Sequence, residues 1–186
     1  AVGPDLEYAL LRHGDRVVVL GAEVVERFAK ELEGAERVGT VHGRDLVGRT
    51  YEPLFPFFAG HRHAFQVFAA DFVETGEGTG VVHMAPYGED DQRLLEANGV
   101  TLVDPVDEEG RFTEPVSPYV GQHVFDANKV IIRDLKERGV LLKHETLVHN
   151  YPHCWRTDTP IIYKPLRSWY VQVTAFRDRM VELNQQ

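Results

Sequence analysis

The sequence predicts a mixed α/β domain built around a small β-barrel with peripheral helices, and three observations support this. Its 186 residues are near the size of one ordinary domain. Hydrophobic residues make up 43% of the chain and charged residues 26%, a balance that allows a sizeable core in a soluble globular fold. Strand-like and helix-like segments alternate without the regular rhythm of βαβ units, which favours a mixed, barrel-like arrangement.

The first forty residues predict a strand, a turn, a second strand, a helix and a third strand. The apolar runs 8–11 and 17–20 are separated by a His-Gly-Asp turn signal. Apolar residues recur at helical spacing over 24–32, and Gly34 stands where that helix would end. Residues 38–41 predict the third strand.

The middle of the chain predicts a hairpin and a short helix. Residues 64–73 are β-rich and lead through a glycine-rich end into the apolar run 81–83. Residues 89–98 predict a helix that opens with acidic side chains, and 100–103 predict a strand.

The last third predicts two more helices. Asp126 is the expected N-cap of a helix that ends at Gly139, and a last helix is expected to begin near Thr174. Between them, residues 140–142 and 147–148 are expected to return to the sheet.

Charge and cysteine content exclude several classes of function. The single cysteine, Cys154, rules out an internal disulfide and a zinc site built on cysteine pairs, and it fits a cytoplasmic location.

A net charge of -9 argues against a surface covered with phosphate-binding residues. Residues 129–186 carry ten Lys and Arg against six Asp and Glu, so nucleic-acid contacts should favour this third. An ordinary fluctuation in surface charge explains the same bias. No apolar run approaches the roughly 18 residues that a membrane helix needs.

The densest group of chemistry-bearing residues is 78–91, Gly-Thr-Gly-Val-Val-His-Met-Ala-Pro-Tyr-Gly-Glu-Asp-Asp. The glycines let the backbone approach a ligand closely, and a strand then delivers His83. A Pro-Tyr-Gly turn leads to Asp90 and Asp91 at a helix start, so an acid can face His83 across a cleft. Acids in a first helical turn also favour the helix dipole without any further role, and a lone histidine is more often packed in a core.

The same motif resembles the signature of the inserted editing domain, connective polypeptide 1 (CP1), of isoleucyl-tRNA synthetases. Valine-type relatives usually carry Lys where His83 stands. A second stretch, 151–160 with the sequence Tyr-Pro-His-Cys-Trp-Arg-Thr-Asp-Thr-Pro, resembles the segment by which the chain returns toward the synthetase body. The resemblance implies one editing domain over 1–186, with 1–150 as its core and 151–186 as the return segment.

The resemblance also implies a role for each residue of the motif. Asp91 would anchor the α-ammonium group of a misattached amino acid, because a carboxylate accepts charge-assisted hydrogen bonds from a cation. His83 would form the wall of a pocket that admits valine and excludes isoleucine, while water attacks the ester. The other substrate-binding positions implied are Gly78, Thr79, Gly80, Tyr87 and Asp90.

The implied activity is hydrolysis of valine misattached to isoleucine tRNA, with valyl-adenylate as a further substrate. The implied partners are the 3′ end of that tRNA and the remainder of the synthetase in cis, with the chain as a monomer. No metal, cofactor or membrane contact is expected.

Two departures from the family pattern bear on this expectation. The turn between Pro86 and Tyr87 is one residue shorter than in many members, which leaves the choice between Asp90 and Asp91 open. A threonine-rich strand that helps form the hydrolytic pocket would lie just before Ala1, and both ends of the chain are expected to be cuts. The alternative is therefore a non-catalytic fragment that binds the tRNA acceptor end or the synthetase body.

Other candidate residues have ordinary explanations. His61 and His63 suggest a metal pair, although a surface turn explains their spacing better. His149 and His153 lie close to Cys154 in sequence, and hydrogen bonding explains them without a metal. Four aromatic residues could stack on bases or pack against the synthetase body instead: Trp155, Tyr163, Trp169 and Tyr170.

Overall fold

The computed structural model describes residues 1–76, 78–166 and 168–185. Its regular β structure is a three-stranded antiparallel sheet made of β1 (Glu7–His13), β2 (Arg16–Gly21) and β3 (Glu36–His42), in the order β2-β1-β3. All three predicted strands of the first forty residues are confirmed. A β-bulge between Leu10 and Leu11 shifts the register with β3.

The turn between β1 and β2 follows from its sequence. His13 pairs with Arg16, so the loop has only two residues, Gly14 and Asp15. Gly14 has a φ of 63°, which glycine adopts without the steric cost that a side chain would add. The tight connection fixes the register of the two strands.

The core lies on one face of this sheet. Ala9 and Leu11 of β1 and Leu20 of β2 pack against the segment that follows β2, and burial of each large apolar side chain contributes about 1.5–3 kcal/mol. The helix predicted over 24–32 is a 3-10 helix, Ala22–Phe28, followed by turns. It has no side-chain cap, and adjacent valines disfavour a regular α-helix. Its buried side chains still complete the core.

The predicted hairpin of 64–73 with 81–83 is wrong, because the N-terminal residues lie between the two segments. Val2 bridges Ala69 in parallel and Val81 in antiparallel orientation. The Val2 N–H donates to the Phe68 carbonyl at 2.9 Å. Neither segment forms a longer ladder within the described residues.

Tyr8 ties this region to the sheet. Its side chain is fully buried, and its hydroxyl group accepts from the Gly3 N–H at 2.9 Å and donates to the Gly80 carbonyl at 2.8 Å. The central strand β1 is thereby joined to both the N-terminal residues and the glycine-rich segment.

The described residues also form three α-helices: α1 (Glu89–Ala97), α2 (Val124–Glu137) and α3 (Arg177–Asn184). They confirm the predicted positions, with a 3-10 turn, Val173–Ala175, ahead of α3. In the described ranges no helix has the length and apolar character needed to span a membrane.

Asp126 is not the N-cap of α2, which starts two residues earlier. His123 occupies that position, and its Nδ1 accepts from the Phe125 N–H at 3.4 Å. Asp126 lies instead in the first turn, where its negative charge favours the helix dipole.

The strands predicted at 100–103, 140–142 and 147–148 do not form within the described residues. The Val100 N–H donates to the Leu95 carbonyl, and the Val140 N–H donates to the Leu135 carbonyl. The segments 100–103 and 140–142 therefore begin as the C-terminal caps of α1 and α2. The mixed α/β class is confirmed, and its β part consists of the sheet and isolated bridges.

Replacement of Tyr8 by Phe is expected to destabilise the domain by about 2 kcal/mol, because it leaves the buried Gly3 N–H and Gly80 carbonyl without a partner. Urea unfolding of the variant beside the wild type measures this loss. Tyr170→Phe is the matched control, since Tyr170 is 91% exposed. Equal stability of all three proteins would contradict the role given to the Tyr8 hydroxyl group.

Candidate functional site

A cavity of about 460 Å³ lies beside the N-terminal residues. Its walls come from five stretches: the 58–68 loop, residues 83–87, α1, residues 100–106 and residues 162–163. The walls are mainly apolar and aromatic, as is typical of small-molecule sites. Parts of the chain that are distant in sequence thus converge on one concave surface.

His83 lines this cavity. It is placed there because Val81 bridges Val2 and the Val82 N–H donates to the Ala1 carbonyl at 3.0 Å. Desolvation lowers the pKa of His83, and the charge of Asp91 opposes that shift. The imidazole is therefore mainly neutral at pH 7 and offers a wall without a full charge.

Asp91 and Asp90 lie in the first turn of α1 but face different surroundings. The Asp91 carboxylate is half-buried and accepts from the Ala85 N–H at 3.2 Å, which turns it toward the cavity-lining segment. The Asp90 side chain is 72% exposed and lies 3.6 Å from Arg93 on the outer surface of the helix. Of the two acids, Asp91 is therefore the one that contacts a cavity-lining residue, although its own side chain is not among those that line the cavity.

Tyr87 also lines the cavity, and its hydroxyl group donates to the Asp104 carboxylate at 3.1 Å. Burial raises the pKa of Tyr87, and the adjacent Asp104 charge and hydrogen bond raise it further. The phenol therefore remains protonated and can act only as a neutral hydrogen-bonding wall.

Gly78, Thr79 and Gly80 do not line this cavity. The Thr79 carbonyl accepts from the Gly21 N–H at 2.8 Å, and the Gly80 carbonyl accepts from Tyr8. Gly80 has a φ of 76°, and a Cβ there would lie 3.2 Å from the Gly21 Cα. In the structure these three residues join the end of β2 to the cavity segment, and their role in substrate binding stays a prediction.

Several cavity residues were missed by the motif. Tyr51 and Phe65 form an edge-to-face aromatic pair at 5.9 Å, Gln92 projects from α1, and Ile162 and Tyr163 belong to the return segment. They are scattered along the sequence and follow no fixed spacing. The available signals were the aromatic content of 51–68 and the aromatic character of the return segment, which had drawn attention to Tyr163.

The histidines considered as a metal pair have other surroundings. His61 lines the cavity, and its Nε2 lies 2.8 Å from the Thr101 carbonyl. His63 has a φ of 62° and lies beside Gly99. Within the residues that the structure describes, no three or more His, Cys, Asp or Glu side chains form a group able to hold a metal ion.

Comparison with known proteins places this geometry in a family. No family model matches the chain. Over its whole length the chain is 56% identical to the isoleucine–tRNA ligase of Rickettsia bellii and 54% identical to that of Rickettsia canadensis. The chain corresponds to a segment of isoleucine–tRNA ligase. It spans 17% and 18% of the length of these two relatives.

A solved structure supports the fold of this ligase segment. The crystal structure of GlLeuRS-CP1 matches it with a TM-score of 0.58, covering 78% of this chain and 77% of that chain. The sequence identity is 16%, so this likeness shows the fold alone. The ligase segment has the fold of a CP1 domain, as its sequence motif predicts.

Replacement of Asp91 by Asn is expected to lower the pKa of His83 further, because the charge that opposes its downward shift is removed. Titration of the histidine ring signals by NMR measures the change. Asp90→Asn is the matched control and should shift this pKa less, since Asp90 faces Arg93 and solvent. A larger response to Asp90→Asn would contradict the placement of Asp91.

Proposed function

We propose that this domain hydrolyses the ester between valine and isoleucine tRNA, as the editing part of an isoleucine–tRNA ligase. The observation that carries the proposal is the position of Asp91, whose carboxylate accepts from the N–H of Ala85, a residue that lines a mainly apolar cavity together with His83. A charged anchor beside an apolar pocket suits an amino acid esterified through its carboxyl group. Such a ligand retains an α-ammonium group and an aliphatic side chain.

Asp91 is proposed to bind the α-ammonium group. A carboxylate forms short, charge-assisted hydrogen bonds with a cation. The Ala85 N–H holds one carboxylate oxygen, and we propose that the other accepts from the ligand. This anchor would fix the position of the ester relative to the walls.

His83 and the apolar walls are proposed to select valine over isoleucine. One methylene in an apolar pocket is worth only about 1–3 kcal/mol, a general magnitude for which isoleucine–tRNA ligases are themselves the standard example. A synthetic site therefore cannot reject valine strongly by fit alone. A second site that is too small for isoleucine can remove the valine that the first site accepts.

The proposed reaction is direct attack by water on the ester carbonyl. The water oxygen forms a bond to the carbonyl carbon, and the bond from this carbon to the ribose oxygen breaks. The ribose oxygen takes up a proton from the water, which yields a free ribose hydroxyl group and the free amino acid. Cys154 is the one thiol of the chain, and it lies in the 151–160 turn rather than among the cavity residues. A covalent cysteine intermediate therefore has no geometric support.

A binding role toward the rest of the ligase is a second candidate, favoured by the exposed aromatic residues of the return segment. Trp155 is 85% exposed, and Trp169 and Tyr170 are more exposed still. Large apolar side chains on an open surface commonly mark contacts with another protein surface. In this candidate the domain holds the acceptor end or the ligase body without hydrolysis.

Single-turnover hydrolysis of valyl and isoleucyl esters of isoleucine tRNA tests the proposal. Asp91→Ala is expected to slow valyl ester hydrolysis by about 10- to 100-fold, since a hydrogen bond to a charged group contributes roughly 1.5–3 kcal/mol. Asp90→Ala, the matched control, should remain close to the wild-type rate. His83→Ala is expected to enlarge the pocket and raise the rate with the isoleucyl ester.

The outcomes separate the two candidate functions. Cleavage of the valyl ester alone, with loss in Asp91→Ala and not in Asp90→Ala, supports hydrolytic editing at this cavity. Equal sensitivity to both substitutions would contradict the role of Asp91. Absence of cleavage, together with retained binding of the tRNA or the ligase body, would favour the binding role.

A further inference from the structure

The motif residue Tyr87 belongs to a polar cluster that the proposed chemistry does not use. One oxygen of the Asp104 carboxylate accepts from the Tyr87 hydroxyl group and from the Val106 N–H, each at 3.1 Å. The other oxygen lies 3.1 Å from the Lys164 ammonium. The Asp104 side chain is 23% exposed and that of Lys164 18%, so water screens this ion pair less than those on the surface.

Lys164 makes further bonds that fix its position. Its ammonium donates to the carbonyl of Asp107 at 3.0 Å and to that of Val106. One side chain of the return segment is thus held by three groups of the 104–107 turn. A flexible lysine on an open surface rarely finds so many acceptors, because ordering its side chain costs entropy.

The cluster lies behind one wall of the cavity. Tyr87, Val106, Ile162 and Tyr163 all line the cavity. Asp104 bonds to Tyr87 and to the Val106 N–H, and Lys164 directly follows Tyr163 and lies two residues after Ile162. Tyr163 is 74% exposed, so little other packing keeps it in place. The position of this wall therefore depends on the bonds made by its neighbour Lys164.

We propose that Asp104 and Lys164 are positioning residues that hold Tyr87 and the return segment together, so that Ile162 and Tyr163 complete the cavity. The return segment is then part of the binding site as well as a connection to the rest of the ligase. A wall that moves outward admits a larger side chain, so the pair sets the discrimination between valine and isoleucine. This last step rests on the proposed hydrolytic function.

Hydrogen exchange tests the positioning without any need for hydrolysis. In Lys164→Met the Ile161 amide, which donates to the Pro152 carbonyl at 3.1 Å, is expected to exchange faster by about tenfold, within the range of coupling between neighbouring residues. Asp104→Asn removes the charge but keeps an oxygen acceptor for Tyr87, and in the double variant this amide should exchange no faster than in Lys164→Met alone. Lys129→Met, at an exposed position of α2, is the matched control and should leave the exchange of this amide unchanged. Unchanged exchange in Lys164→Met would overturn the proposal.

The ratio of valyl to isoleucyl ester hydrolysis tests the effect on selectivity. Lys164→Met is expected to lower this ratio several-fold, mainly through faster cleavage of the isoleucyl ester. Lys164→Arg retains the cation and its donors and should restore most of the ratio, which a general loss of stability would not explain. A ratio that stays constant while exchange accelerates would overturn the part of the proposal that concerns selectivity.

The two assays separate failure of this inference from failure of the proposed function. If the wild-type chain cleaves neither ester, the hydrolytic function fails in this chain, and hydrogen exchange alone decides whether Asp104 and Lys164 position the wall. If the wild type cleaves the valyl ester but Lys164→Met changes neither exchange nor the ratio, the function stands and the positioning pair is rejected.

Discussion

The buried hydroxyl group of Tyr8 is the contact on which the arrangement of the cavity depends. It joins the central strand β1 to Gly3 on one side and to Gly80 on the other. Because these groups have no access to water, each requires a partner within the protein. Val2 can then bridge both neighbouring segments, and the chain from Gly80 leads directly to His83. A hydrogen bond in the core thus sets the position of a side chain in the cavity.

The cavity combines an apolar interior with one oriented acid. Asp91 is held by a backbone N–H rather than by a basic side chain, so its charge remains available to a ligand. Desolvation keeps His83 mainly neutral, which preserves the apolar character of the wall. The adjacent Asp104 and Lys164 neutralise each other beside the wall.

The sequence predicted the locally determined parts of this structure and missed those set by distant contacts. Two apolar runs around a Gly14 turn were enough for the β1–β2 hairpin. Signals at the helix ends, namely acidic residues before α1 and Gly139 after α2, were enough to place the two helices. The strand predicted at 64–73 failed because Val2, more than sixty residues away, takes its hydrogen bonds. In the candidate site, the 78–91 motif predicted His83, which lines the cavity, and Asp91, which bonds to the lining residue Ala85. Tyr163 was considered only for stacking on bases or packing against the synthetase body, and no pattern predicted that the return segment lines the cavity. The same motif included glycines that the structure uses to join β2 to the cavity.

The most direct measurement is NMR of the labelled domain with the non-hydrolysable amide analogue of valyl-adenosine. If the cavity receives the aminoacyl group, the signals of His83, Ala85 and Tyr87 should shift on binding. With Asp91→Ala, the same shifts should require about ten times more ligand or more, because a charge-assisted hydrogen bond is lost. With Asp90→Ala, the ligand concentration required should stay close to that of the wild type. Shifts confined to the 78–80 segment, or binding that ignores Asp91, would contradict the assignment of this cavity as the editing site.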